Sequence, residues 1–228
     1  MNRLRLNGNQ LKLIALITMT IDHIGMCLFP QVLMFRMIGR LSMPIYAYMI
    51  AEGCRYTRNK KKYILLTAAV GFLCQIVYIV AMESLYQNIL ITFSLSILLI
   101  YAIDNALTKQ STAACVLASG ILLAVYFLCQ ILPKLLPNTD YGICYGFFGV
   151  LLPIFTFLGK DKKQKLILTA LGQIAMNMDL GDIQWYCLFS LIPLALYDGT
   201  RGKRKLKYLF YIYYPAHLAI LYLIGLAL

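Results

Sequence analysis

Charge is what this sequence has least of. Of its 228 residues 13% are charged, with nine acidic side chains against 21 basic ones, and it holds one tryptophan and two histidines. Soluble domains carry about 25% charged and about 45–50% apolar residues. Here 61% are hydrophobic, more apolar surface than a soluble fold of this length can hide. Cysteine pairing is absent too. The seven cysteines are scattered through apolar stretches without one CxxC pair, which argues against a disulfide framework or a zinc site. They read as small buried hydrophobes, and no metal is expected. A cleavable signal is also missing. The first apolar stretch runs to Pro30, contains Asp22 and His23, and lacks a small-residue cleavage site, so it reads as a first membrane helix. No repeat, low-complexity tract or linker divides residues 1–228, which are expected to form one integral membrane domain.

What is there is a series of long apolar runs. A spanning helix needs roughly 17–25 residues. The runs fall at 11–30, 32–52, 63–82, 88–103, 112–132, 141–158, 166–178, 183–197 and 208–227. They predict an all-α, polytopic transmembrane bundle of about nine spans, multi-pass in the cell membrane. The pair 166–178 and 183–197 is short, and fits either two tilted spans or a re-entrant hairpin turning at Asp179, Gly181 and Asp182. The basic residues orient this layout. Arg3, Arg5 and Lys12 precede or open the first span. Arg55, Arg58, Lys60, Lys61 and Lys62 follow the second, and Lys109 the fourth. Lys160, Lys162, Lys163 and Lys165 follow the sixth, and Arg201, Lys203, Arg204, Lys205 and Lys207 the eighth. These are 18 of the 21 basic residues, all on one side of the alternation. The positive-inside rule makes that side, with the N-terminus, cytoplasmic. The +12 net charge therefore marks topology and attraction to anionic lipid, and no nucleic-acid partner is expected.

Removing those loop charges isolates the exceptions. An ionisable residue at the bilayer centre costs about 2.5–3.5 kcal/mol on insertion scales, so each one inside a span is a candidate for function. Asp22 and His23 lie in the first span, Arg36 and Arg40 in the second, and His217 in the last. His23 is twelve residues into the first run, about 18 Å deep at 1.5 Å per residue. Neighbouring helix positions do not face each other. Asp22 is thus expected to meet Arg40 rather than to orient His23, and Arg36 shares the face of Arg40. The pair could equally be a packing device, with His23 a bystander or a proton-relay member. Cationic neighbours would keep an imidazole neutral and able to act as a general base. His217 follows Pro215, which can kink the last span. Glu52, Arg55, Thr57, Arg58 and Asn59 cluster at the cytoplasmic mouth of the second span, where arginine suits phosphate recognition; a solvated loop explains any one of them equally well. Asn88 with Thr92, Asp140 with Tyr141, and Tyr214 are further candidates. For Asn88, Thr92, Asp140 and Tyr141, capping and interhelical hydrogen bonding are the plain alternatives.

The run Asp22-His23-Ile24-Gly25, then Arg36, Gly39-Arg40-Leu41 and Pro44-Ile45-Tyr46-Ala47-Tyr48, resembles the TraX family. Glu52-Gly53 with Tyr56-Thr57-Arg58-Asn59 continues the pattern. So do Asn88 with Thr92, Asp140-Tyr141-Gly142, and Tyr214-Pro215 with His217-Leu218. The resemblance runs from about residue 10 to the C-terminus. It implies a membrane acyltransferase that moves an acetyl group from cytoplasmic acetyl-CoA to an amine or hydroxyl. The acceptor, a peptide, glycan or small molecule, is not specified by the sequence. On this expectation Arg55, Arg58 and nearby lysines receive the CoA phosphates, with Glu52, Thr57, Asn59 and Arg36 lining the cofactor's path. His23 is the base, Arg40 with Arg36 stabilises the oxyanion, Asp22 holds an arginine, and His217 assists. Direct transfer and an acetyl-enzyme are both open. A small transporter or flippase using the same charges as ligands is the rival reading, and a non-catalytic assembly factor is another.

Overall fold

The computed structural model describes residues 5–203 and 207–227. Arg3, Arg204 and Lys205, counted above as cytoplasmic charges, lie outside the described residues. The fold is helical. No strand forms among the described residues, and only two isolated bridges occur, Leu6 with Tyr197 and Gln87 with Ile143.

The helices begin where the sequence supplies caps. Helix α1, Gly8–Cys27, opens on a capping box: Asn7 and Gln10 each accept from the other's backbone N–H. Helices α2, Leu33–Gly39, and α3, Ser42–Tyr56, replace the single expected span at 32–52 and are divided at Arg40–Leu41. Helix α4, Lys60–Met82, is capped by Asn59, whose side chain accepts from Lys62 N–H. Helix α5, Ile89–Lys109, is capped by Asn88, and α6, Thr112–Tyr126, by Ser111. Helix α6 then passes through one π-helical turn, Phe127–Ile131, into α7, Leu132–Leu135. Pro133 explains that turn. It has no N–H for the ladder, and the Tyr141 hydroxyl reaches Leu128 O at 3.4 Å, the carbonyl that residue 133 would serve in a π register.

Helices α8, Gly146–Leu158, and α9, Lys162–Leu180, follow. The expected span at 183–197 is a 3₁₀ helix, Asp182–Ser190, and a five-residue α10, Leu191–Ala195. Helix α11, Lys207–Ala227, continues through Pro215. Among the described residues four helices are long and apolar enough to cross a membrane: Gly8–Cys27, Lys60–Val80, Ile89–Lys109 and Thr112–Leu135. Their outward faces are apolar. Leu65, Phe72, Leu73 and Val80 of α4, and Val116, Leu117 and Leu123 of α6, are all more than half exposed, which water would not tolerate over so large a patch but lipid would.

The chain divides into two compact units. Residues 1–49 with 177–228 form one, and residues 50–176 the other. In the first, the N-terminal segment pairs with the loop after α10: Leu6 N–H donates to Leu196 O at 2.9 Å and Gly8 N–H to Thr200 O at 2.7 Å. Helices α1 and α2 pack closely because glycines face them. A Cβ on Gly25 would overlap Phe35, and one on Gly39 would overlap Asp22. The second unit has an apolar cluster of Cys54, Ile97, Leu99, Ile100 and Ile154, crossed by polar links. Ser96 donates to Val150 O at 2.8 Å, and Thr156 meets Thr169 at 2.7 Å.

Candidate functional site

The first unit gathers the ionisable residues expected inside spans: Asp22, His23, Arg36, Arg40 and His217. Along α1, Asp22 and Gly25 face α2, whereas Thr20 and His23 face α11, as the 100° step between neighbouring positions requires. Asp22 Oδ1 and Oδ2 accept from Arg40 Nη2 at 2.7 and 3.0 Å, and Oδ2 pairs with Arg36 Nη1 at 2.9 Å. The missing Cβ of Gly39 is what admits the carboxylate. Arg40, buried, also donates from Nε to Arg36 O at 3.2 Å and from Nη1 to Gln184 Oε1 at 3.1 Å. Its guanidinium is thus oriented by three different residues, one of them in the 3₁₀ helix. The broken second span follows from this arrangement: the turn at Arg40 carries its side chain back to Asp22 and Gln184.

The two histidines meet. His217 Nε2 lies 3.2 Å from His23 Nδ1. His23 Nδ1 is also 3.0 Å from Met19 O, and His217 Nδ1 is 2.9 Å from Tyr213 O. A carbonyl only accepts, so the nitrogen facing it carries the proton. His217 is then protonated on Nδ1, with Nε2 bare and accepting from His23 Nδ1–H. His23 Nε2 is left as a lone pair with no hydrogen-bond partner among the described residues. Tyr213 stacks on His217, with centroids 5.1 Å apart and 11° between planes, and its hydroxyl meets Thr20 Oγ1 at 2.7 Å. Tyr214, buried, borders His217 with centroids 5.6 Å apart. Helix α1 starts at Gly8, so His23 is its sixteenth residue, about 23 Å along an axis of about 30 Å. That is farther from the N-terminal end than the sequence expectation of about 18 Å.

The remaining candidates belong to the second unit and have structural partners there. Glu52 Oε1 accepts from Lys165 Nζ at 2.6 Å, both side chains nearly buried. Lys165, expected as a loop charge, is thereby a buried partner. Arg55 donates to Phe157 O and Gly159 O at the end of α8, and lies over the Phe157 ring at 5.1 Å. Asn59 caps α4, and Thr57 N–H donates to Gly53 O. Arg58 is exposed. Asn88 donates to Gly71 O and Gln75 Oε1, and Thr92 to Cys144 O. Asp140 accepts from Ser84 Oγ at 2.5 Å and Leu85 N–H at 2.8 Å, which holds its carboxyl below the usual carboxylate range. Sequence reasoning passed over Gln184, Tyr213 and Thr20. Gln184 stands as a polar residue in an apolar run, and Tyr213 lies one turn before His217; those are the signals that could have found them.

Apolar helices of membrane-crossing length mark a helical membrane protein, and its first unit holds an ion cluster centred on the buried Arg40 and a histidine pair. The chain belongs to the TraX family: the family model, described as TraX protein, matches residues 7–225. It is 23% identical to the probable fimbrial assembly protein FimC, serogroup H1, of Dichelobacter nodosus, over 93% of each chain. It is 33% identical to an uncharacterised protein of Rickettsia prowazekii, over 43% of this chain and 38% of that one. No solved structure matches.

Proposed function

We propose that this protein is a multi-pass membrane acetyltransferase that transfers acetyl from cytoplasmic acetyl-CoA to an amine or hydroxyl acceptor, with its N-terminus and basic loops cytoplasmic. The observation that carries this reading is the bare Nε2 of His23. It is a proton acceptor whose other nitrogen is held by Met19 O and His217 Nε2, on the residue next to the Asp22–Arg36–Arg40 cluster. In the reaction the acceptor nitrogen or oxygen forms a bond to the thioester carbonyl carbon, and His23 Nε2 takes its proton. The carbonyl pair moves onto oxygen, in the positive potential of the arginines. As the pair returns, the C–S bond breaks and His23 passes the proton to the departing CoA sulfur. While His23 is charged, its Nδ1–H bond to His217 spreads that charge. Arg55, Glu52 and Asn59 are occupied in packing.

The position of His23 toward the far end of α1 favours an acceptor that arrives from the side opposite the N-terminus. The name of the Dichelobacter relative favours a protein acceptor of the pilin kind, and also the second reading, a non-catalytic assembly factor. Purified protein in nanodiscs, labelled acetyl-CoA and peptide acceptors separate the two. The enzyme transfers label, and His23→Ala lowers the rate by about 10²–10⁴-fold without loss of folding. Undiminished transfer by a folded His23→Ala protein removes His23 from the mechanism, and no transfer by the wild type favours the assembly reading.

A further inference from the structure

Two buried amide donors in the first unit have no acceptor among the described residues: Gln184 Nε2 and Asn177 Nδ2. Both residues are 2% exposed, and an unmade hydrogen bond at that depth calls for an explanation. The orientation of Gln184 is not arbitrary. A guanidinium only donates, so Oε1 must face Arg40 Nη1, at 3.1 Å, and Nε2 is turned away from it. The Cys187 thiol lies beside the same amide and donates to Asn177 Oδ1 at 3.4 Å. Sulfur is a weak acceptor and does not satisfy Nε2. The outcome is a pair of uncommitted donors one guanidinium away from Asp22. The complementary ligand is an acceptor-only oxygen.

We propose that Gln184 Nε2–H binds the acyl carbonyl oxygen of the thioester and holds it as negative charge develops. This inference rests on the acetyl-transfer reading. Gln184 neither gains nor loses a proton. As the bond to the acceptor forms, the carbonyl pair moves onto the oxygen that Gln184 grips, and it returns when the C–S bond breaks. Arg40, whose donors hold Asp22, Arg36 O and Gln184 Oε1, then serves to aim the amide rather than to grip the oxyanion itself.

The test compares wild type, Gln184→Leu and Gln184→Glu as full-length proteins in nanodiscs, reading kcat for acetyl transfer and, separately, affinity for CoA, which has no acyl carbonyl. Gln184→Glu keeps an oxygen facing Arg40 but has no N–H, so it separates gripping the carbonyl from anchoring the arginine. The expected result is a loss of about 10²–10³-fold in kcat for both variants, the cost of one oxyanion donor, with CoA affinity unchanged. Wild-type kcat in Gln184→Glu would overturn the proposal and leave Gln184 as a positioning residue, while the acetyl-transfer reading stands. A wild type that binds CoA but transfers no acetyl group overturns both. If thermal melting shows Gln184→Leu unfolded, Gln184→Glu alone decides.

Discussion

His23 and Glu52 show two fates of an ionisable side chain among apolar helices. His23 keeps one nitrogen uncommitted. Glu52 is consumed by Lys165 at 2.6 Å, with side-chain exposures of 8% and 11%. Removing one partner of such a pair strands the other charge, at a cost of about 3–5 kcal/mol. Glu52→Ala and Lys165→Ala are each expected to destabilise by that order in chemical denaturation, and the double variant by less than their sum. Strict additivity would show that the pair is not coupled. His217 tests the histidine dyad from the other side. His217→Phe keeps a ring beside Tyr213 but removes the acceptor of His23 Nδ1–H. Transfer is expected to slow, though less than in His23→Ala, in the same labelled-acetyl assay. A rate equal to the wild type would dispense with the dyad.

The α1–α2 hairpin is built around two glycines, and its geometry is what makes the ion cluster possible. A methyl group at Gly39 would occupy the space of Asp22 Cβ and Oδ1. Gly39→Ala is therefore expected to cost about 1–3 kcal/mol through overpacking and to lower transfer by displacing Asp22 from Arg40. A melting temperature and rate equal to the wild type would refute the close approach. The connection between α4 and α5 depends on Asp140, which clips Ser84 and Leu85. Its carboxyl is held low, chiefly by the Ser84 hydroxyl and then by the Leu85 N–H. A depressed carboxylate contributes its stabilisation above its unfolded value, near 3.9, and loses it as pH falls through the lower folded value. Melting of the wild type is thus expected to decline at the acid end of a pH series, and Asp140→Asn to lack that part of the decline. Parallel curves would rule it out.

Orientation is a property of the whole chain. On the expected alternation, which puts 18 of the 21 basic residues on one side and Lys134 on the other, single-cysteine labels near Lys61 and Lys163 should react from the cytoplasmic face, and one near Lys134 from the opposite face. Labelling of all three from one face would dismantle the nine-span layout. The helices already depart from nine uniform spans. Residues 32–52 form two helices, 183–197 a 3₁₀ helix with a short α10, and α8 has only 13 residues.

Charge scarcity was enough to read a membrane protein and to single out Asp22, His23, Arg36, Arg40 and His217, because burying charge in an apolar run is costly wherever it occurs. Periodicity was enough to send Asp22 and His23 to different neighbours. The sequence could not show that Asp22 binds both arginines, that the two histidines touch across 194 residues, or that Gln184 completes the cluster. Each depends on which helices pack together, and contacts that distant leave no local pattern. Nor could it tell Glu52, Arg55 and Asn59, occupied in an ion pair, a helix end and a cap, from Arg58, which stays exposed. All four are polar residues in the short stretch 52–59, and only the tertiary structure decided which had partners.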